Sequence, residues 1–379
     1  MSKWEEQKFG DLYLIPSRNG LTRPSSVRGA GYKFINMGEI FTYNRIGNIE
    51  TELVQLNEKE KKEMTLQKND LLFARQSLVF TGAGKCSIML DLEDVVSFES
   101  HIIRVRLNPE IANPMFYYYY FSLPYNSVKT IVQQCAQAGI RGSDLEKIKV
   151  PCPYIEIQNQ IADILSAYDD LIEANNRRIE LLEQTAQELY KEWFVRFRFP
   201  GYENAKFEDG IPEGWECCRL GKILSFGAGK TRPKSGETYP VYGGNGILDY
   251  CNNYNSENAI IIGRVGVYCG TVYYEPDKCW ISDNALFAES KNSMHFYNYY
   301  LLKNMNLNAR QIGTGQPLIT QGLLNKIRIL LPSESLMMKY NQIASELLKQ
   351  QDLLRKMNVN IVAQRDMLLP RLMSGKLEV

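Results

Sequence analysis

Histidine is nearly missing from this chain: two residues, His101 and His295, in 379. The eight cysteines are scattered and no C-x-x-C occurs, which argues against a zinc site and against a disulfide framework. No apolar run approaches the length of a membrane span. The opening Met1-Ser-Lys-Trp-Glu-Glu lacks a signal-peptide core, so a cytoplasmic protein with no membrane partner is expected. Net charge is also nearly absent, at +1, which excludes a globally basic nucleic-acid binder but leaves room for a locally basic face.

Catalytic signatures are missing too. There is no H-E-x-x-H and no G-x-S-x-G. Phe226-Gly-Ala-Gly-Lys230-Thr231 imitates the end of a phosphate-binding loop, but the required earlier glycine is Leu224. Thr81-Gly-Ala-Gly-Lys85-Cys86 fails likewise at Val79. Gly243-Gly-Asn-Gly246 lacks dinucleotide-fingerprint spacing, and Asn113-Pro114-Met115-Phe116 lacks the second proline of an amino-methyltransferase tetrad. Nothing pairs a nucleophile with a base, so no enzyme and no bound metal or cofactor is expected.

What the chain does have is a repeat. Trp4-Glu-x-x-Lys8-Phe9-Gly10 returns as Trp215-Glu-x-x-Arg219-Leu220-Gly221. Leu71-Leu72-Phe73-Ala74-Arg75 returns as Ile260-Ile261-Ile262-Gly263-Arg264, and the aromatic run at 115–121 as that at 294–300. Gln137-x-x-Ile140 matches Gln316-x-x-Ile319, and Leu145-Glu-Lys-Ile148 matches Leu324-Asn-Lys-Ile327. The offset falls along the unit, so the ends are shared and the middle of the first copy is longer. Loops absorb insertions more readily than cores, which predicts two domains of one fold with different surface loops. Short β-branched segments at 70–74, 97–105, 258–262 and 326–331 read as strands, and 239–247 as strand, turn, strand. The tetra-tyrosine stretch reads as a short helix, its rings packed in a core rather than stacked on bases.

Each unit ends in a long proline-free helix entered through the same residues, Asn159-Gln160-Ile161-Ala162 and Asn341-Gln342-Ile343-Ala344. Apolar positions then step by four and three, the seam of a coiled coil. The seam predicts a helix-pair interface of Ile161, Leu165, Ile172, Ile179 and Leu182 with Ile343, Leu347, Leu354, Met357 and Ile361. Asn175, Gln350 and Gln364 fall on it as polar register markers. The first helix is read over 157–196 and the second over 335–369, stopping before Pro370. A helix of forty residues is about 60 Å long, more than one globular domain covers, so each calls for a partner helix. The chain divides into 1–155, a first domain; 156–197, a helix; 198–333, a second domain; and 334–379, the second helix and tail.

Basic and amide side chains collect in the turn-rich stretches: Arg18, Arg23, Arg28, Arg75, Gln76, Lys85 and Arg141 in the first unit, and Lys230, Arg232, Lys234, Asn245, Arg264, Thr314 and Gln316 in the second. Arginine, asparagine and glutamine read base edges, while lysine and hydroxyl groups contact phosphate. Any one of them alone reads first as a solvated surface charge; the clusters around Lys230 and Arg264, taken together, favour a nucleic-acid face.

The motifs in combination resemble the DNA-specificity subunit of type I restriction-modification systems over essentially the whole chain. They are Ile211-Pro-Glu-Gly-Trp-Glu216, Tyr239-Pro-Val-Tyr-Gly-Gly-Asn-Gly-Ile247, Ile260-Ile-Ile-Gly-Arg264, Gly313-Thr-Gly-Gln-Pro-Leu-Ile-Thr320, the two Asn-Gln-Ile-Ala entries, Ala186-Gln-Glu-Leu-Tyr-Lys-Glu-Trp-Phe194 and the ending Arg365-Asp-Met-Leu-Leu-Pro-Arg-Leu-Met-Ser-Gly-Lys376. The loop 263–270 departs from that family in carrying Val267 where a small polar residue is usual, and the first unit lacks the Pro-Glu-Gly lead-in.

The resemblance implies an α+β protein with two similar α/β target-recognition domains in tandem, separated by two long helices in an antiparallel coiled coil, a pseudo-two-fold repeat. It implies that each domain reads half of an asymmetric bipartite site in double-stranded DNA, with Arg75 and Arg264 the foremost contacts. It implies a non-catalytic subunit that docks two methyltransferase subunits and, through the complex, restriction subunits; S-adenosylmethionine and ATP belong to those partners. Two other readings stay open at this stage: a coiled-coil interaction protein without DNA function, and a divergent DNA methyltransferase.

Overall fold

The computed structural model describes residues 4–134, 138–311 and 317–379. The chain forms two compact units, Met1–Glu173 with Val359–Val379, and Ala174–Asn358. The four segments drawn from the sequence follow covalent order. The compact units follow space instead, and each takes part of both long helices.

The first unit is built on a five-stranded sheet in the order Tyr13–Asn19, Ile102–Leu107, Leu71–Ala74, Cys86–Met89, Arg45–Ile46. The second has six strands in the order Leu224–Ala228, Ala285–Ser290, Ser256–Gly263, Val272–Ile281, Tyr239–Gly243, Gly246–Cys251. The first four strands of each sheet correspond in order and direction, which is the repeat made visible. The extra length of the first unit is not loop. It folds into a separate three-stranded sheet, Glu52–Val54, Arg28–Ile35 and Val96–Phe98, with its own core of Phe34, Val54 and Leu56. The stretch 97–105 is likewise two strands rather than one. The backbone turns at Glu99, where Ile102 N–H closes on the Glu99 carbonyl at 3.0 Å and Ser100 N–H reaches Leu21. Flanking β-branched residues mask that turn in the sequence.

The aromatic helix Pro114–Ser122 starts on Asn113, whose side chain accepts the Met115 and Phe116 N–H groups, with proline in the first turn. Phe116, Tyr117, Tyr118, Tyr119 and Phe121 are all buried, so the rings are core. Its counterpart His295–Asn304 begins on Met294, which cannot cap. Asn341, the first residue of the repeated helix entry, supplies the missing acceptor to Phe296 and Tyr297 N–H at 2.9 and 3.2 Å. In the first unit Asn159 takes a 2.7 Å hydrogen bond from the capping Asn113. The repeated asparagine therefore ties the start of each long helix to the aromatic helix before it.

The long helices run Ile155–Tyr190, closing in a π-turn Lys191–Val195, and Glu334–Met373. In the second unit Tyr340 Oη donates to the Ala186 carbonyl at 2.9 Å, Gln351 Nε2 to Glu183 at 3.3 Å, and Asn175 Nδ2 to Asn358 at 2.8 Å. Numbers rise along one helix as they fall along the other, so the pair is antiparallel. In the first unit Arg365 pairs with Asp169, while Leu372 and Met373 share a core with Ile161 and Leu165. Here too the direction is antiparallel.

In the first helix Ile161 and Leu165 are fully buried, in one core with Leu372 and Met373, and Ile172, Ile179 and Leu182 are partly buried. The second helix needs a correction. Leu354 and Ile361 are buried and Leu347 is partly buried, but Ile343 and Met357 are 40% and 42% exposed, and Gln350 and Gln364 face solvent. The true stripe keeps Leu354 and Ile361 and moves one residue on elsewhere, to Ala344, Leu348, Gln351, Asn358 and Arg365. Hydrophobicity alone chose Ile343 over Ala344 and Met357 over Asn358. The actual choice is made by polar residues with partners on the other helix. The second helix also passes Pro370 and continues to Met373, because its last turn is anchored by Leu372 and Met373, both nearly inaccessible.

Removing one partner from a buried ion pair costs about 3–5 kcal/mol. Asp169→Ala is therefore expected to destabilise the first unit by about 2–3 kcal/mol, reduced because Arg365 is 25% exposed. Ile343→Ser and Met357→Ser are each expected to cost less than about 0.5–1 kcal/mol, as surface changes do. Urea unfolding of the full chain ranks the three, and a larger loss at Ile343 than at Asp169 contradicts the corrected seam.

Candidate nucleic-acid interface

The two units present one arginine each on the same backbone frame. Arg75 N–H donates to the His101 carbonyl at 2.8 Å, and the Arg75 carbonyl accepts Ile140 N–H at 2.9 Å. In the second unit Arg264 N–H donates to Asn284 at 3.0 Å, and its carbonyl accepts Ile319 N–H at 2.9 Å. Both residues follow the last position of a buried central strand, Leu71–Ala74 or Ser256–Gly263. The strand fixes the backbone and the side chain leaves the sheet at its end.

A second shared element lies beside this frame, and the sequence reading missed it. Gly20-Leu-Thr-Arg23-Pro24 and Gly229-Lys-Thr-Arg232-Pro233 are the same pentapeptide with one change. Leu21 N–H bonds Phe98 at 2.8 Å, and Lys230 N–H bonds Ile281 at 3.0 Å. A Cβ on Gly20 would lie 2.1 Å from the Phe98 carbonyl oxygen, and one on Gly229 2.0 Å from that of Ser282, so only glycine fits either place. The signal was present as a five-residue match, hidden by an offset different from that of the other repeats.

The predicted side chains fall into two groups. Four are engaged inside the protein. Arg18 pairs with Glu63 at 2.8 Å, and Arg28 is held by Glu52, Asn36 and the Arg23 carbonyl. Lys85 donates to the Phe41 carbonyl at 2.9 Å, and burial pulls its ammonium below the ordinary lysine value. Arg232 pairs with Asp249 at 2.6 Å; the Ser235 hydroxyl, the Tyr250 N–H and Arg232 together pull that carboxyl down to about 2. Arg23 is engaged in the same way, by Glu60 at 2.7 Å. These arginines shape the loops first.

Arg75, Gln76, Arg141, Lys230, Asn245 and Arg264 have no side-chain hydrogen bond or ion pair among the described residues. They are gathered, not scattered. Gln76 pairs with Gly139 across a short ladder, which sets Ile140 against Arg75 and Arg141 one residue further along the chain. In the second unit a Cβ on Gly244 would lie 2.9 Å from the Val265 carbonyl, so the turn carrying Asn245 touches the loop carrying Arg264. Lys230 bridges to Ser282, two residues from Asn284. The Arg264 Nε is buried with no partner in the described residues. Val267 and Tyr268 stand out from the same loop, 84% and 51% exposed. Thr314 and Gln316 lie outside the described residues, as does Gln137.

Among the described residues no group of three His, Cys, Asp or Glu could hold a metal, and no helix is long and apolar enough to cross a membrane. The type I restriction modification DNA specificity domain model matches residues 1–184 and 212–358, most of the chain. The chain belongs to this family. Two similar proteins are the MjaIX specificity subunit of Methanocaldococcus jannaschii and the putative MjaX specificity subunit of the same organism. They are 24% and 26% identical, each match covering 99% of this chain and 94% of the relative. The crystal structure of the S subunit from M. genitalium shares the fold, with a TM-score of 0.58 at 17% identity, covering 98% of this chain and 96% of that one. A coiled-coil protein without DNA function and a divergent methyltransferase both go unsupported by these matches.

Within this specificity-family frame the free and engaged arginines should separate cleanly. Arg75→Ala and Arg264→Ala are expected to leave the melting midpoint within about 1–2 °C, since neither breaks a side-chain bond among the described residues. Gly20→Ala and Gly229→Ala are each expected to cost about 1–3 kcal/mol from forced backbone displacement. Calorimetry on the four variants checks both halves.

Proposed function

We propose that this chain is the DNA-reading subunit of a type I restriction-modification complex. Each globular part reads one half of an asymmetric, bipartite site in duplex DNA. The long helices set the unread spacer and dock two methyltransferase subunits, and restriction subunits join through the complex. The chain itself catalyses nothing; S-adenosylmethionine and ATP are bound by its partners.

One observation carries the reading: an arginine without a side-chain partner among the described residues, Arg75 or Arg264, held on the same hydrogen-bond frame in each unit. A guanidinium pays a large desolvation cost unless something accepts its hydrogen bonds, and a guanine edge or a phosphate does so in a bidentate way. Different neighbours, Gln76 and Arg141 in one unit against Lys230 and Asn245 in the other, support different half-sites. Methyltransferase docking is supported by apolar side chains left outside the seam, among them Leu171, Leu181, Leu353, Val359 and Met367, each 45–70% exposed.

Bind-and-sequence selection with the co-expressed methyltransferase tests this. Arg264→Ala is expected to relax one half-site and Arg75→Ala the other, each by about 1–3 kcal/mol, with the opposite half unchanged. An intact motif in both variants overturns the assignment. Deleting one heptad from both helices is expected to shorten the spacer by about three base pairs, from about 10 Å of lost helix; an unchanged spacer rules out the ruler.

A further inference from the structure

The first unit holds a second cationic site, away from Arg75. A groove of about 540 Å³ lies beside the outer strand Tyr13–Asn19 and the helix Glu58–Met64. Its lining includes Arg18, Lys61, Lys62, Arg104 and Arg106, with Glu63 as the one carboxylate.

Arg104 lies at the centre of the groove's charge. It is only 3% exposed, yet among the described residues its guanidinium makes a single long contact, 3.4 Å to the Pro16 carbonyl. Its Nε is buried without a partner. The other charges facing it do not neutralise it. Asp70, the nearest buried carboxylate, is chelated by Arg106 through both oxygens at 2.6 and 2.7 Å. Glu63 is engaged by Arg18, and Lys61 by Glu58. Arg18 sits directly across the ladder from Arg104, a like-charge pair that opposes folding. Lys62 is exposed and has no ion pair among the described residues. A buried cation that makes no direct ion pair is costly, and the one carboxylate of the groove wall, Glu63, is taken by Arg18.

The second unit shows that the fold does not need these charges. At the same ladder positions it has Gly227 opposite Phe287, and Glu289 in place of Arg106. The ring packs over the glycine, where a Cβ would meet Phe287 Cζ at 2.0 Å. The basic groove is therefore a property of the first unit alone.

We propose that this groove is a phosphate site, and that its occupant is a backbone phosphate of the DNA beside the first half-site, with Arg104 as the principal ligand and Arg18 and Lys62 completing it. The identity of the occupant rests on the function proposed above; the anion chemistry does not. A phosphate contact would fix the first unit's register on the duplex without reading a base.

The test uses the full chain, inorganic phosphate and duplex DNA carrying the selected motif. Phosphate at fixed ionic strength is expected to raise the melting midpoint of the wild type over a chloride control. Arg104→Leu, which removes the uncompensated charge and keeps an apolar side chain, is expected to abolish that rise. Lys62→Gln, a surface change with no bond to lose, is expected to reduce it. On DNA, Arg104→Leu is expected to weaken binding several-fold and lower the slope of log K against log salt by about 0.9, the loss of one phosphate contact, leaving the selected motif unchanged. No phosphate effect on the wild type overturns the site. A phosphate effect with an unchanged salt slope overturns the DNA occupant and makes this a site for a free phosphate compound. A phosphate effect in a chain that binds no DNA sinks the DNA-reading function and upholds the anion site.

Discussion

Each unit depends on one carboxylate of the first long helix that faces inward and is met from two sides. In the first unit it is Asp169, which accepts the Tyr119 hydroxyl of the aromatic helix at 2.7 Å and pairs with Arg365 of the second long helix. In the second it is Glu183, bonded by Tyr300 of the aromatic helix at 3.0 Å, by Lys303, and by Gln351 of the second long helix. Burial pushes the Tyr119 and Tyr300 phenols far above their ordinary values, with the carboxylates adding to it, so both hydroxyls stay donors. Aromatic helix and helix pair are thereby joined at one point in each unit. In the repeat that aligns Asn159 with Asn341, Asp169 corresponds to Gln351 and Glu183 to Arg365. A seam made from two copies of the first helix would set Asp169 against Glu183, two carboxylates. The actual pairing sets a carboxylate against a donor each time. Polar seam residues thus select the partner helix as well as the register.

The repeat, the central strands and the aromatic helix were legible because they rest on apolar pattern and turn chemistry, both local. Ile260 to Ile262 could hardly be anything but a buried strand, and Asn113-Pro114 announces a helix start. The phase of the second helix was not legible, because Gln351, Asn358 and Arg365 earn their inward positions from Glu183, Asn175 and Asp169, which are more than 160 residues away in sequence. Hydrophobic periodicity cannot see a partner at that distance. The same blindness affected the basic residues. Sequence could list arginines but could not separate Arg18, Arg28 and Arg232, which carboxylates engage, from Arg75 and Arg264, which nothing in the described residues engages. Arg104 escaped attention because its alternating strand, Ile-Ile-Arg-Val-Arg-Leu, reads as ordinary sheet.

The two units use one frame for different surfaces. Gly20 and Gly229 hold the same tight approach, and Arg75 and Arg264 the same hydrogen bonds. Around that constant frame the first unit adds a three-stranded sheet and a basic groove, while the second has an edge hairpin, Tyr239–Gly243 to Gly246–Cys251, with the exposed Asn245 at its tip. Framework residues are answerable to packing, whereas the surface around them is free to differ. On the proposed function, that division lets two copies of a fold recognise two unlike half-sites.

The central claim is that one chain specifies a split, asymmetric DNA sequence. Mapping methylated adenine across the genome of the parent cell, with the gene intact and deleted, tests it most directly. The account predicts that deletion removes methylation from one motif made of two unlike halves around a fixed unread spacer. Loss at a continuous or palindromic motif, or no loss with the methyltransferase partners expressed, would contradict it.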